Sequence, residues 1–380
     1  MIRRKIWLEK IQQLWEERSI IWLSGVRRMG KTWLGKQLDH AEYFNCDLPS
    51  VCRQMADPES FLTRFSKSST LVLDEIHRLE DPSLLLKIAA DHFPELRILA
   101  TGSSTLQATN KFRDALTDRK RSLHLCPVLW QECRNDFGIQ DFHRRLLHGG
   151  FPELLLKDQP SPDFFEDWMD GFYARDVQEL FGIRNRTGFL KLLRLVCLRN
   201  GGQLNITDLS KEAQLSRPTV LSHLDALEIA HVLRRIPPFH GDSQKEILRQ
   251  PRLYTFDTGM IAHISGWETI RESDAGLLWE NLILDELCQL FPLRKIHYWR
   301  DKSQREVDFI IEHSEQRVDA LEAKLTPDAF EAKSLKVFRE MYPHGENRVV
   351  CPYVKEPYLL HKGNLEVLVC GVEHLSMYPI

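Results

Sequence analysis

The sequence predicts an α/β protein built on a largely parallel β-sheet. Three apolar runs lead to this fold class. Residues 20–24 run into a glycine-rich loop, and a helical pattern follows that loop. Residues 70–73 run into the acids Asp74 and Glu75, and residues 96–100 end in polar residues. Continuous apolar runs of this length are typical of strands that are buried on both faces of a parallel sheet.

The glycine-rich loop has the spelling G-x-x-x-x-G-K-T from Gly25 to Thr32. Glycines allow successive backbone N–H groups to face one anion. In this pattern Lys31 reaches the β- and γ-phosphates of a nucleotide and Thr32 binds Mg²⁺, while a helix that begins near Lys31 adds its positive dipole end. The alternative is a fortuitous glycine turn, but the flanking strand and helix are the context that the motif requires. We predict a nucleotide site that includes Gly25, Arg28, Gly30, Lys31 and Thr32.

The residues that follow the other two apolar runs predict hydrolysis of the nucleotide. Asp74 would hold Mg²⁺ through its water shell, and Glu75 would activate the water that attacks the γ-phosphate. The alternative is a buried strand that ends in two solvated acids. Ser103 or Thr101 is a candidate γ-phosphate sensor, unless these are only turn and cap residues. Arg119 is the candidate arginine finger of a neighbouring subunit, within a charge run that could also be a solvated face.

Composition limits the classes of protein that are compatible with this chain. Its 380 residues correspond to two or three domains. A net charge of −3 gives no global basic field, so any nucleic-acid surface must be local. The eight cysteines include no C-x-x-C motif, which argues against a zinc site and a disulfide framework. There is no signal peptide and no apolar run near the ~18 residues that a membrane span needs, so we expect a cytoplasmic protein without a membrane partner.

The middle of the chain predicts two helical domains. Residues 129–185 would form a lid over the nucleotide, with Arg175 as a second sensor. Residues 186–262 have helix–turn–helix spacing followed by two strand-like segments around a polar loop, which predicts a winged helix. This domain would contact DNA through its third helix and its wing, unless it is a protein-docking or spacer domain. The candidate nucleic-acid contacts are Arg217, Thr219, Ser222, His223, Arg234, Arg235, Lys245, Arg249 and Arg252.

Residues 263–380 carry a second group of acids. Glu280 lies in an apolar-striped helix, Asp308 lies in a strand, and Glu322 and Lys324 end the next strand. Residues two apart in a strand leave the same face, so Glu322 and Lys324 should lie together. With the carbonyl between them, these acids could hold a second divalent metal while Lys324 assists an attacking water. The alternatives are a nuclease-like fold with idle acids and ordinary surface ion pairs.

The order and spelling of these segments resemble one group of proteins across nearly the whole chain. It is the bacterial and archaeal AAA+ superfamily ATPases that join a P-loop core, a winged helix and a C-terminal PD-(D/E)XK nuclease-like domain. Family members commonly have Gly-Arg where this chain has Asp118 and Arg119. The arginine is retained, but without the glycine it is an open question whether the chain makes the same backbone turn before it. The matching segments are GVRRMGKT, LVLDE, ATGSS, GGFPE, YARDVQEL, TVLSHLDALE, YTFDTGM, WEN, YWR and EVDFII with LEAK.

The resemblance implies ATP and Mg²⁺ binding at Lys31, Thr32 and Asp74, with Glu75 as the hydrolytic glutamate. It also implies that Glu280, Asp308, Glu322 and Lys324 correspond to the site residues of a nuclease-like domain. We therefore predict four domains. They are an AAA+ core at 1–128, a helical lid at 129–185, a winged helix at 186–262 and a nuclease-like domain at 263–380.

These predictions together describe an ATPase that forms a homo-oligomeric ring, such as a hexamer, and remodels or translocates duplex or branched DNA. The alternative function is a nucleotide-switched signalling or defence protein whose C-terminal domain is an effector or a docking surface. A metal-dependent nuclease gated by ATP lies between the two. The expected cofactors are ATP, Mg²⁺ and a second divalent metal in the C-terminal domain.

Overall fold

A computed structural model describes residues 2–102, 112, 114, 116–159, 161–241, 250–314 and 317–375. The chain divides into two compact units. The first contains Met1–Cys126, Ala174–Gly182 and Ile229–His231, and the second contains the remaining residues. The long segment of the first unit ends at Cys126, and the predicted core domain at 1–128 stays a prediction. The predicted lid at 129–185 is not a unit of its own, because residues 127–173 belong to the second unit and 174–182 to the first.

Among the described residues, the first unit contains a five-stranded parallel sheet in the order β2-β3-β4-β1-β5. Its strands are β1 (Ile20–Ser24), β2 (Ala41–Asn45), β3 (Thr70–Asp74), β4 (Arg97–Thr101) and β5 (Lys120–His124). Its α-helices are Lys5–Trp15, Lys31–Gly35, Pro49–Gln54, Pro58–Leu62, Pro82–His92 and Glu179–Phe181. A 3₁₀ turn lies at Ile76–Arg78, and a π-helical segment, Tyr173–Gln178, precedes the last helix.

The central strands of this sheet are buried, as their apolar spelling predicts. Every residue of β1 is buried, and so is every residue after the first in β3 and β4. Strand β4 lies between β1 and β3, with Leu23 opposite Thr101 and Leu73 opposite Ala100. The carboxyl ends of parallel strands meet at one edge of the sheet, where ligands bind in α/β folds. The glycine-rich loop, Asp74 and Thr101 are therefore brought to the same edge.

The described residues of the second unit contain a six-stranded mixed sheet, in the order β12-β13-β11-β10-β9-β8, and the antiparallel pair β6-β7. Its strands are β6 (Leu233–Ile236), β7 (Arg252–Thr255), β8 (Ile296–Arg300), β9 (Glu306–Ser314), β10 (Arg317–Ala323), β11 (Asn347–Val350), β12 (Tyr358–Lys362) and β13 (Leu365–Cys370). Its α-helices are Trp130–Asn135, Phe142–His148, Pro152–Leu155, Pro162–Phe172, Arg186–Leu198, Ile206–Ala213, Arg217–Ile229, Thr258–Ile264, Glu272–Leu290 and Ala332–Met341. Short 3₁₀ turns lie at Leu293–Lys295, Pro327–Ala329 and Val372–His374.

One apolar core joins the start of the predicted lid to the C-terminal sheet within this unit. Phe142 packs edge-on against Trp279, with ring centroids 5.3 Å apart. The indole of Trp279 donates to the Val350 carbonyl at 2.9 Å, and that of Trp130 donates to the Pro352 carbonyl at 3.3 Å. Residues near 130–155 are therefore part of the packing that holds the six-stranded sheet.

The motifs GGFPE and YTFDTGM meet in a buried joint of the second unit. Asp257 accepts from the Gly150 N–H at 2.6 Å and from the Met260 N–H at 3.0 Å. Gly149 has a φ of 74°, and a Cβ on Gly259 would lie 2.6 Å from the Gly149 nitrogen. Two backbone segments thus pack at a distance that only glycine permits. No helix in the described ranges is long and apolar enough to cross a membrane.

Candidate nucleotide site

The glycine-rich loop begins at Gly25, directly after β1. Gly25 has a φ of 144°, and a Cβ there would lie 2.7 Å from the Leu125 carbonyl oxygen. Gly30 has a φ of 93° and precedes the helix Lys31–Gly35, while the exposed Arg28 has a φ of 65°. Both glycine positions therefore have a left-handed backbone that glycine adopts at low cost. The helix begins at Lys31, where the sequence predicts it.

The ammonium group of Lys31 is held inside this loop. Its Nζ donates to the carbonyls of Gly25 at 2.8 Å and Val26 at 3.2 Å. Burial lowers the pKa of Lys31 below its ordinary value. The carboxylates of Glu75, Asp176 and Asp74 partly offset this change, with Glu75 having the largest effect. Lys31 therefore places a cation in a loop that is shaped for an anion.

Asp74 ends β3 and accepts hydrogen bonds from the neighbouring strands and the loop helix. Thr32 Oγ1 lies 2.7 Å and the Tyr43 hydroxyl 2.6 Å from the same carboxylate oxygen, Oδ2. The Thr101 hydroxyl donates to the other oxygen. Burial and the bond to Asp74 raise the pKa of Tyr43. A hydroxyl and a carboxylate in contact are hard oxygen ligands of the kind that Mg²⁺ takes.

Glu75 follows in a left-handed conformation, with a φ of 57°. Its N–H donates to Thr101 Oγ1 at 3.0 Å, and its Oε2 lies 3.2 Å from Nδ1 of His77. Burial raises the pKa of Glu75, but the hydrogen bond from His77 and the charge of Lys31 outweigh burial and leave that pKa below its ordinary value. Glu75 is therefore an ionised base at neutral pH, beside the residues that would hold Mg²⁺.

The predicted arginine finger lies at the other edge of the sheet. Arg119 directly precedes β5 and pairs with Asp91, with Nε and Oδ1 2.6 Å apart. Asp118 before it has a φ of 59°. Aspartate tolerates this left-handed region better than most residues do. Whether Arg119 serves a neighbouring subunit stays a prediction.

The predicted sensors have different outcomes. Of the two candidate γ-phosphate sensors, Thr101 lies at the end of β4 and contacts Asp74. Ser103 lies outside the described residues. Arg175 is exposed in the segment Tyr173–Gln178, and its neighbour Asp176 lies 3.8 Å from Arg27 of the glycine-rich loop.

Sequence reasoning missed several residues at this edge of the sheet. Tyr43, His77 and Asp176 contact or face the predicted site residues, although none belongs to the loop motif. His77 could have been found from its position two residues after Glu75. Tyr43 reaches the site because β2 lies next to β3 in the sheet. Asp176 reaches it because the chain returns to the first unit after residues 127–173. The spacing of residues in the sequence reveals neither arrangement.

The candidate nucleic-acid contacts divide into exposed and buried residues. Arg217 and Ser222 are exposed, and Thr219 bonds to Ser216 at the start of the helix Arg217–Ile229. His223 is 4% exposed, packs against Phe189, and has a pKa that burial lowers. The prediction that His223 faces DNA is wrong, because the helix turns that position towards the core.

The arginines of the predicted wing that the structure describes pair with acids. Arg234 is 4% exposed and pairs with Asp285 at 2.5 Å, so the prediction that it meets a phosphate is wrong. Arg235 pairs with Asp225 at 2.6 Å and also with Glu228. Arg252 is likewise buried, so its predicted phosphate contact is wrong too. Lys245 and Arg249 lie outside the described residues.

Asp308, Glu322 and Lys324 lie together at the C-terminal sheet. Lys324 Nζ is 2.8 Å from Asp308 Oδ2 and 2.7 Å from Glu322 Oε2. The Ala323 N–H also donates to Asp308 Oδ2, at 2.9 Å. Burial alone would lower the pKa of Lys324, but the charges of Asp308 and Glu322 outweigh burial and raise that pKa above its ordinary value. Burial raises the pKa of Glu322. An ammonium group thus takes the place between the acids that the predicted metal would need.

Glu280 is bound by residues of β7. The Tyr254 hydroxyl donates to Glu280 Oε2 at 3.1 Å, and Arg252 lies 3.7 Å from the same oxygen. Burial and the charge of Asp308 raise the pKa of Glu280 to about 8. Within the described ranges, no group of three or more His, Cys, Asp or Glu residues is arranged to hold a metal ion. The predicted ligand set Glu280, Asp308 and Glu322 is therefore not supported, because internal donors already satisfy these acids.

Comparison with known proteins agrees with the geometry of the first unit. Residues 17–134 match the sequence family described as the AAA domain. Residues 139–271 and 275–368 match two domains of unknown function. The N-terminal part of the chain thus carries an AAA-type P-loop ATPase domain.

Two relatives that match most of the chain are described as uncharacterized proteins. One from Mycobacterium tuberculosis is 24% identical over 325 residues, covering 83% of this chain and 72% of the relative. One from Methanocaldococcus jannaschii is 22% identical over 320 residues, covering 76% and 70%. A solved Walker-type ATPase of Pyrococcus abyssi covers 69% of this chain and 95% of its own, at 13% identity and a TM-score of 0.41. That structural similarity is too weak to support an inference about function.

Proposed function

We propose that this protein binds ATP with Mg²⁺ and hydrolyses it at the glycine-rich loop. The contact of Thr32 with Asp74, beside the ionised Glu75, carries this proposal. Bound Mg²⁺ would neutralise charge on the phosphates as the bond to the γ-phosphate breaks. Lys31 and the loop amides would bind the phosphates, and Thr32 and Asp74 would hold the ion. Glu75 would orient the attacking water and accept its proton.

Substitution of Glu75 separates binding from turnover. The variant Glu75→Gln should bind Mg·ATP like the parent and lose at least about a hundredfold in turnover, the usual contribution of a positioned base. Lys31→Ala should lose ATP binding itself. Glu80→Gln removes an exposed acid nearby and should leave both properties unchanged. Turnover by Glu75→Gln at the parent rate would remove Glu75 from the mechanism.

DNA is the target that we propose for the work of hydrolysis. This rests on the two helices Ile206–Ala213 and Arg217–Ile229, which a short turn joins, and on the exposed Arg217 and Ser222. Arg217→Ala should weaken DNA binding and reduce the slope of log affinity against log salt by about 1. Arg64→Ala removes an exposed positive charge from the first unit and serves as the control. DNA binding that Arg217→Ala leaves unchanged would argue for a docking domain.

A ring would supply Arg119 from one subunit to the nucleotide of the next, and hydrolysis would then depend on assembly. We propose such a homo-oligomer, with subunit number open. Particle mass measured with and without an ATP analogue tests it. Full turnover by a protein that remains monomeric would contradict it.

The second candidate function is a nucleotide-controlled switch whose C-terminal domain is a docking surface or effector. The ion pairs of Lys324 with Asp308 and Glu322 favour it over a metal-dependent nuclease. A switch predicts slow hydrolysis that DNA does not accelerate. DNA cleavage with Mg²⁺ or Mn²⁺ that Asp308→Ala abolishes would instead restore the nuclease.

A further inference from the structure

The segment Ala174–Gly182 of the first unit places a half-buried acid, Asp176, beside the glycine-rich loop. Asp176 Oδ2 lies 3.8 Å from an Arg27 nitrogen, and Arg27 lies within the loop between Gly25 and Gly30. That carboxylate oxygen is buried and accepts no hydrogen bond from a described residue. A buried polar atom without a donor is costly, so charge must compensate it.

The positive charges that compensate Asp176 are those of Arg27 and Lys31, which would also bind a triphosphate. Burial raises the pKa of Asp176, whereas Arg27 and Lys31 lower it and Glu75 raises it further. Asp176 in turn opposes the effect of burial on the pKa of Lys31. The carboxylate therefore lies in the cationic field of the phosphate-binding loop.

We propose that Asp176 is the resting counter-anion of this loop and must leave its position when the γ-phosphate of ATP is bound. The inference rests on the proposed binding of ATP at Lys31 and Thr32. Two anions that share Arg27 and Lys31 repel each other, so bound ATP favours the conformation in which Asp176 has moved away. ADP lacks the γ-phosphate and should exert less of this effect.

The position of Asp176 in the chain gives its movement a consequence. The segment Ala174–Gly182 is flanked in sequence by residues 127–173 and 183–228, which belong to the second unit. On the same segment Glu179 pairs with Arg78 at 3.5 Å. Displacement of Asp176 would thus make the conformation of residues 174–182, which connect two segments of the second unit, depend on whether ATP or ADP is bound.

Equilibrium binding of Mg·ATPγS and Mg·ADP to the full chain tests the proposal. Asp176→Asn keeps the shape of the side chain and removes its charge. It should bind ATPγS at least about fivefold more tightly than the parent, with a smaller gain for ADP, as for a coupling of ordinary size. Glu179→Gln changes a charge on the same segment and should bind like the parent. Equal or weaker ATPγS binding by Asp176→Asn would overturn the inference while the proposed ATP site stands.

Hydrogen exchange in the unmodified protein gives a second test that does not depend on the folding of a variant. ATPγS should accelerate exchange of the amides in residues 174–182 relative to ADP. Slowed or unchanged exchange would overturn the inference. Failure of the parent and Asp176→Asn alike to bind either nucleotide would overturn the proposed function, and this inference with it.

Discussion

At the scale of single residues, Asp74 shows how the site is held in place before a ligand binds. Its oxygens accept from Thr32, Tyr43 and Thr101, which come from the loop helix, β2 and β4. Hydrogen bonds to a charged acceptor are stronger than neutral ones, and they fix the direction of the carboxylate. Asp74 is therefore oriented by residues on both sides of its strand.

Loss of the Tyr43 hydroxyl should destabilise the protein measurably. Tyr43→Phe removes a donor 2.6 Å from Asp74 Oδ2, and we expect the free energy of unfolding to fall by about 1–2 kcal/mol. Urea denaturation measures the change. Tyr358→Phe is the matched control, because Tyr358 is 45% exposed and should change stability by less than about 0.5 kcal/mol. Equal effects of the two substitutions would show that the bond to Asp74 contributes nothing to stability.

The positions of the loop motif and of the acids at the end of β3 could be predicted from sequence, since they depend on local spacing and on the sheet edge that they share. Tyr43 and Asp176 could not, because their contacts depend on tertiary packing. The buried positions of His223 and Arg234 were missed for a related reason. A helix has several faces, and the sequence alone did not reveal which one packs inward or that Asp285 would neutralise a buried arginine.

At the scale of elements, strands β1, β3 and β4 lie where the three apolar runs predict them, with ends that differ by at most one residue. The lid was harder to predict. Its helices were recognised, but the core into which Trp130 and Phe142 pack is formed by residues far along the chain. Periodicity identifies an apolar face and does not identify the surface that covers it.

The glycine joint of the second unit gives a prediction at this scale. Gly259→Ala should destabilise the protein by about 3 kcal/mol or more, because its Cβ would meet backbone atoms of His148 and Gly149 that cannot rotate away. Thermal denaturation with calorimetry measures the loss. In Gly276→Ala the added Cβ meets no described atom within 4 Å, and a helix-interior alanine should stabilise by about 0.5–1 kcal/mol. A parent-like stability for Gly259→Ala would mean that this joint can relax.

At the scale of the whole molecule, buried acids set the dependence of stability on pH. Burial raises the pKa of Glu286 to about 8, although the N–H groups of Trp130 and Gln131 donate to it. Burial also raises the pKa of Asp257 and Asp285. Such groups bind protons more tightly in the folded chain than in the unfolded one. Their contribution is complete below the ordinary carboxyl pKa and is lost as pH rises through the raised value.

Glu286→Gln should therefore flatten the decline of stability with pH. Between pH 5 and 8 the free energy of unfolding of the parent should fall by up to about 1.4 kcal/mol per pH unit more than that of the variant. This slope corresponds to one proton that the folded parent binds and the unfolded parent does not. Urea titrations at several pH values measure these slopes. Glu356→Gln alters an exposed acid and should follow the parent. Parallel slopes for Glu286→Gln and the parent would mean that Glu286 is already ionised in the folded protein.

The divided first unit has a consequence for how the chain is made. All the strands of its sheet have been synthesised once His124 is added, yet the segment with Asp176 is synthesised only after part of the second unit. A nascent chain therefore contains the glycine-rich loop, with its residues Arg27, Arg28 and Lys31, before Asp176 has been synthesised. If the loop binds ATP as proposed, the nucleotide would not compete with Asp176 at that stage, and its binding would stabilise the folded first unit before the rest of the protein exists.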